Sequence, residues 1–265
     1  MIISHEHRYV FVELPRTGCT AVGKELIESY DGERILAKHS MYRDFLKQAS
    51  TEEKGFFAFS SIRNPLDDAV SGYFKLKSDH HGRFSDPVRR RYRVGNRGAD
   101  AVRSTGLNAR GSRPARRTVG ERRDNRRFEY IDETGCSFAE YFMRYYRVPY
   151  DTWSTVNHGA MQQLIRFEQL EEDFERVLVD GLGLELRRPL PVRNRTDAKA
   201  AESTSFLDYY TPETRRRAAW VFGPYMARFG YSFPPDWHVD PPGLSSRLAF
   251  TALAGLRRVY WHRIR

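Results

Sequence analysis

The chain has 265 residues, a formal net charge of +10, and 40% hydrophobic residues. That composition supports a sizeable buried core and excludes a wholly disordered chain, while no apolar run reaches the length of about 18 residues needed to cross a bilayer. Two cysteines, Cys19 and Cys136, cannot build a disulfide framework. The N-terminus enters an apolar segment at once rather than a signal peptide, so the expected location is the cytoplasm.

Taken in chain order, residues 9–14 read as an apolar strand that stops at Pro15, and a polar, glycine-containing loop then opens a helix over 20–30. A short strand near 34–37 leads into a helix over 41–49, and a strand over 56–62 leads into a helix over 66–77. This alternation predicts an α/β fold, a three-layer sandwich with a central parallel sheet and a P-loop-like phosphate-binding loop. Further on, Ser137 caps a helix running to about Arg147, and a strand follows from Gln163 to Phe167. A helix over 171–180 ends at Gly181 and Gly183. Thr211 and Pro212 then start a long helix that Gly230 stops. Residues 1–242 are expected to form one domain and 243–265 a basic amphipathic helix, suited either to lie on an anionic membrane or to pack on the core or a second subunit, with packing favoured.

The charge is not spread evenly. Residues 83–127 hold 15 arginines against four acids (Asp86, Asp100, Glu121 and Asp124), an excess that outweighs the net charge of the entire chain. With little aliphatic periodicity, this stretch is expected to be a disordered insertion, either a plain solvated loop or an arm that attracts acidic glycans, anionic headgroups or nucleic acid. It lacks the aromatic platforms of specific RNA recognition, so no specific nucleic-acid partner is expected.

Two motifs carry the chemistry. The first is Pro15-Arg16-Thr17-Gly18-Cys19-Thr20, placed where a strand hands over to a helix and backbone N–H groups can face a phosphate. The second is Arg63-Asn64-Pro65 at the end of a strand, with Ser71 eight residues after Arg63. Proline forbids helix at Asn64 and so keeps Arg63 at the strand end. Together they read as a site that grips a nucleotide by a phosphate at each end.

This pair resembles the sulfotransferase family that uses 3′-phosphoadenosine-5′-phosphosulfate (PAPS), and most closely its carbohydrate-type branch, related to heparan and chondroitin sulfotransferases, in a soluble, bacterial-style form. The resemblance is strong over residues 9–77 and looser over 160–233, where Arg166-Phe167-Glu168-Gln169-Leu170 leads to Asp173-Phe174. It implies that Arg16, Thr17, Gly18, Cys19 and Thr20 hold the 5′-phosphosulfate and that Arg63 and Ser71 hold the 3′-phosphate. Arg16 stands where the family has lysine, and Ala21 where it has serine. Lys38-His39 resembles the branch's Lys-His pair, which makes His39 the expected base for the acceptor hydroxyl, with His158 and Glu13 in reserve. Arg16 would stabilise charge on the departing bisphosphate. The implied reaction is sulfuryl transfer to a glycan, glycolipid or other small alcohol, without metal. Cys19 is expected to pack in the loop, with a thiol open to acidification at the helix start.

Two alternatives stay open on the sequence. Gly18, Gly23 and Lys24 match most of a Walker A loop, but position 25 is Glu rather than a metal-holding hydroxyl. The arginine-rich stretch alternatively belongs to a non-enzymatic polyanion-binding protein.

Overall fold

The computed structural model describes residues 1–79, 82, 84–85, 119–149, 157–190 and 205–260. Strands β1 (Ile2–Ser4), β2 (Tyr9–Val12), β3 (Glu33–Arg34), β4 (Phe57–Ile62) and β5 (Gln163–Arg166) form one five-stranded sheet in the order β3-β1-β2-β4-β5. The helices that frame the argument are α1 (Cys19–Ser29), α2 (Tyr42–Leu46), α3 (Pro65–Lys77), α4 (Val119–Thr134), α5 (Phe138–Tyr145), α6 (Leu170–Arg176), α7 (Pro212–Phe229) and α8 (Leu244–Val259). The protein has an α/β fold.

The expected parallel sheet is corrected to a mixed one. Strands β2, β4 and β5 run parallel, whereas β1 is antiparallel to both β2 and β3. The reason is connection length: only residues 5–8 separate β1 from β2, far too few for a crossover, so the chain must turn back on itself.

Both faces of the sheet are buried, because successive side chains of a strand point to opposite sides. Tyr9 and Phe11 of β2 join Phe59, Val22, Leu26 and Phe174 on one face. Val10 and Val12 join Ile3, Ala58, Tyr42 and Phe45 on the other. Helix α1 approaches the sheet closely at Gly23, where a Cβ would lie 2.9 Å from Ile2 Cδ1 and 3.2 Å from Glu13 Oε1. Buried hydroxyls on β4 are satisfied locally, with Ser60 Oγ donating to the Val12 carbonyl at 2.6 Å.

The chain divides into two compact units. One comprises residues 1–65, 148–194 and 218–265 and contains the sheet; the other comprises 66–147 and 195–217. The second unit is helical and dense in aromatic rings. Buried Tyr73 donates to the Cys136 carbonyl at 2.6 Å and packs edge-on against Phe138. Tyr210 donates to the Leu66 carbonyl at 3.0 Å. Helix α5 opens with a capping box between Ser137 and Glu140.

Most of the expected insertion at 83–127 lies outside the described residues, but its borders are structured. Residues 119–127 belong to α4, and Phe84 is buried in a stack with Phe128, their centroids 5.5 Å apart. Arg127 places its guanidinium 4.9 Å from the Tyr145 ring and donates to the Tyr141 hydroxyl at 3.3 Å, so this arginine serves the packing of its own unit. The predicted helix over 171–180 is α6 followed by a π-helical turn, Val177–Gly181. Gly181 allows that turn to approach Phe57, whose Cζ would lie 2.8 Å from an added Cβ. Among the described residues no helix is long and apolar enough to cross a membrane.

Candidate functional site

The loop from Pro15 to Thr20 joins the C-terminal end of β2 to the start of α1. Two of its residues take left-handed backbone angles, Arg16 at φ 67° and Gly18 at φ 77°. Glycine makes the second of these inexpensive, and the absence of a side chain also clears Leu170, whose Cδ2 would lie 2.9 Å from an added Cβ. The Gly18 carbonyl accepts from the N–H groups of Ala21 and Val22. The preceding amides of the first turn have no carbonyl one turn back to bond and point out from the helix start, where the helix dipole favours an anion. Thr17 fixes the loop from below: its buried hydroxyl donates to the Leu14 carbonyl at 2.8 Å and lies 2.6 Å from Ser61 Oγ on β4. The Thr17 side chain is therefore a fastener for the loop, and only its backbone is left for a ligand.

Lys38 makes a contact with the loop that the sequence does not foretell. Its ammonium donates to Thr20 Oγ1 at 2.7 Å, which sets a compact positive charge in the first turn of α1. The signal was present, since Lys38 precedes His39 in the quoted pair, but no spacing rule foretells a contact between the β3–α2 connection and a helix start. By contrast Arg16, the expected cation, is exposed. A pocket of about 230 Å³ opens beside Thr20 and Lys38 and is lined further by Lys24, Glu28, Arg34 and Glu13.

His39 sits next to Lys38 with φ 66°, half-buried, and its Nδ1 lies 3.1 Å from the Glu13 carbonyl. A carbonyl can only accept, so the neutral ring carries its proton on Nδ1 and presents a lone pair on Nε2. Burial lowers the pKa of His39; the bond to Glu13 opposes this and the Lys38 charge adds to it. A neutral imidazole with an available Nε2 is suited to accept a proton.

Arg63 leaves the end of β4 and donates to the Arg16 carbonyl at 3.2 Å, so it meets the same loop. Its guanidinium stacks on the Phe167 ring at 4.2 Å. Glu168 accepts from the Asn64 N–H at 2.7 Å and from the Tyr231 hydroxyl at 3.1 Å, which fixes the turn that carries Arg63. Asp173 accepts from the Arg166 N–H at 2.8 Å. The stretch from Arg166 to Asp173 is thus scaffold with a specific task, the aiming of Arg63. Ser71 is buried on α3 and belongs to the second unit.

The remaining expectations divide by burial. Cys19 is in the core, and burial pushes its thiol up to about 11 against the pull of Lys38, which corrects the expectation of acidification. Glu13 is 1% exposed and pairs with the amine of Met1 at 2.8 Å and with Arg34. Burial alone would raise its pKa, but these two cations hold it below the usual carboxylate range. His158 is buried with Nε2 3.2 Å from the Ser61 carbonyl, Nδ1 without a hydrogen-bond partner among the described residues, and a pKa lowered by desolvation to about 4. Neither reserve residue is open to an acceptor hydroxyl. Among the described residues no group of three or more His, Cys, Asp or Glu could hold a metal ion.

Gly23 and Lys24 lie within α1, Lys24 pairs with Glu28 at 3.1 Å, and Glu25 is fully buried against Arg188 at 2.8 Å. Position 25 therefore serves as an internal ion pair, which weakens the Walker A reading. The chain matches no protein-family model, no curated protein and no solved structure.

Proposed function

We propose that the protein is a sulfotransferase that moves a sulfuryl group from PAPS to a hydroxyl of a glycan, glycolipid or other small alcohol. One observation carries the reading: Lys38, Arg63 and the amides of the first turn of α1 converge on a single loop at the ends of two adjacent parallel strands. Such a cradle fits a phosphate or sulfate and supplies its countercharge from the protein alone. The P-loop-like character of this loop and a three-layer sandwich around the sheet belong to the same proposal.

The amides of Gly18, Cys19 and Thr20 and the Lys38 ammonium would hold the 5′-phosphosulfate. Arg63, immobilised by Phe167, would take a second anionic group, the 3′-phosphate of the same nucleotide. PAPS, when bound, would supply the sulfuryl group, its S–O bond to the 5′-phosphate breaking as a bond from sulfur to the acceptor oxygen formed and adenosine 3′,5′-bisphosphate left. His39 would accept the acceptor's proton at Nε2, with the tautomer fixed by the Glu13 carbonyl. Charge that develops on the bisphosphate is offset by Lys38 and by Arg16, whose guanidinium holds charge but is a poor proton donor.

The test is calorimetric titration in chelator with adenosine 3′,5′-bisphosphate and, separately, titration with ATP and Mg²⁺. The bisphosphate is expected to bind without metal and more tightly. Stronger binding of the Mg²⁺–ATP complex would overturn the reading. A screen of acceptors with labelled PAPS then identifies the hydroxyl.

A further inference from the structure

Among the described residues, helix α8 meets the sheet-containing unit by one side. Phe250 is buried in a cluster with Ile62 and Tyr225, and Ser246, one turn earlier, is also buried. The opposite side carries Leu244, Leu248, Leu256 and Val259 at 72%, 62%, 67% and 52% exposure. At 3.6 residues per turn these side chains, with exposed Ala252 and Gly255 between them, fall within an arc of about 120°. Single exposed leucines are ordinary, but a continuous stripe along four turns of one helix is not.

The charges beside the stripe are of one sign. Arg247 and Arg258 are exposed along one border of the arc. Residues 241–265 contain five arginines and no aspartate or glutamate. Helices with an apolar stripe flanked by arginines are attracted to anionic headgroups and bury the stripe at the acyl boundary.

We propose that the exposed face of α8 docks this protein onto the surface of an anionic lipid bilayer, parallel to the membrane plane. The charge distribution argues against a second copy of the chain as occupant. A two-fold contact would set Arg247 and Arg258 against their own counterparts, with no acid in this segment to pair them. Phe250 holds the helix on the body of the protein, so docking would bring the sheet-containing unit to the bilayer surface as well. Membrane attachment is independent of the chemistry proposed above.

The experiment is co-sedimentation of the full chain with vesicles of phosphatidylcholine alone and of phosphatidylcholine mixed with phosphatidylglycerol. Binding is expected only to the anionic vesicles and is expected to fade in high salt. The arginine-rich stretch at 83–127 could also attract these vesicles, so the deciding variant changes the stripe without changing charge. Leu248→Asn with Leu256→Asn should lower the bound fraction at least about tenfold. Arg247→Gln with Arg258→Gln should weaken binding about tenfold as well. Circular dichroism and thermal unfolding check that the variants fold. Undiminished binding of the asparagine variant would overturn the proposal, as would failure of the wild-type chain to bind anionic vesicles. Light scattering that shows a dimer in the wild type and a monomer in the asparagine variant would overturn it in favour of self-association.

Discussion

Two segments of the sheet-containing unit each carry a histidine to the end of a parallel strand, and they do opposite things with it. In the β3–α2 connection, His39 bonds the carbonyl of Glu13 just beyond β2 through Nδ1. In the turn before β5, His158 bonds the carbonyl of Ser61 near the end of β4 through Nε2. Each ring is fixed in one tautomer by a carbonyl. The difference lies in the second nitrogen: that of His39 belongs to a half-buried ring beside Lys38, whereas Nδ1 of His158 is buried with no hydrogen-bond partner among the described residues, its ring edge-on to Phe229. Anchoring one ring nitrogen at a strand end thus leaves the other either in a half-buried ring beside a cation or deep in the core, depending on what packs around it.

The sharpest way to break this comparison is to remove each histidine in turn. His39→Ala should lower turnover by about 10²–10⁴-fold, the range for a lost general base, while leaving bisphosphate affinity nearly intact. Single-turnover kinetics with labelled PAPS and calorimetry separate the two effects. Because burial lowers the pKa of His39, the acid limb of kcat/KM should lie below the ordinary histidine value of 6.5. Near-normal turnover in the alanine variant at every pH would remove His39 from the chemistry.

His158 should instead be visible in stability. Its folded-state pKa of about 4 lies below the ordinary 6.5, so as the pH falls the unfolded chain takes up the proton first. The stabilisation is complete above about pH 6.5 and is lost toward pH 4, about 3 kcal/mol in all. Urea unfolding at a series of pH values should show His158→Gln with a shallower decline through this window than the wild type. Equal slopes would mean that His158 does not reside neutral in the core.

Arg63→Ala should weaken bisphosphate binding by about 1.5–3 kcal/mol, the scale of a hydrogen bond to a charged group, without the turnover loss expected for His39. An unchanged affinity would detach the end of β4 from the site. The smallest effect is expected at Gly18, where alanine would impose a left-handed backbone angle and press on Leu170. A loss of about 1–2 kcal/mol in stability is expected by thermal unfolding.

Much of this arrangement can be read along the chain. Strand–loop–helix units at β2–α1 and β4–α3 follow from apolar runs closed by Pro15 and Pro65, and α7 follows from Thr211-Pro212 at one end and Gly230 at the other, since Pro and Gly restrict backbone angles locally. The placement of Arg16 to Thr20 and of Arg63 at strand ends is legible for the same reason: it rests on backbone geometry within a few positions. Strand β1 escapes notice, because three residues are too short to show any period, and the short strand expected near 34–37 proves to be β3, Glu33–Arg34, whose antiparallel pairing no local pattern reveals.

Tertiary structure alone decided which face each side chain would present. Cys19 turns into the core and loses acidity, Thr17 spends its hydroxyl on Leu14 and Ser61, and Lys38 reaches Thr20 across the sheet's end. His39 and His158 are the same residue type in the sequence, and only the packing around their second nitrogen separates them. Local rules determine where the backbone turns, whereas desolvation and charge pairing depend on neighbours brought from far along the chain, and these set the chemistry of each group.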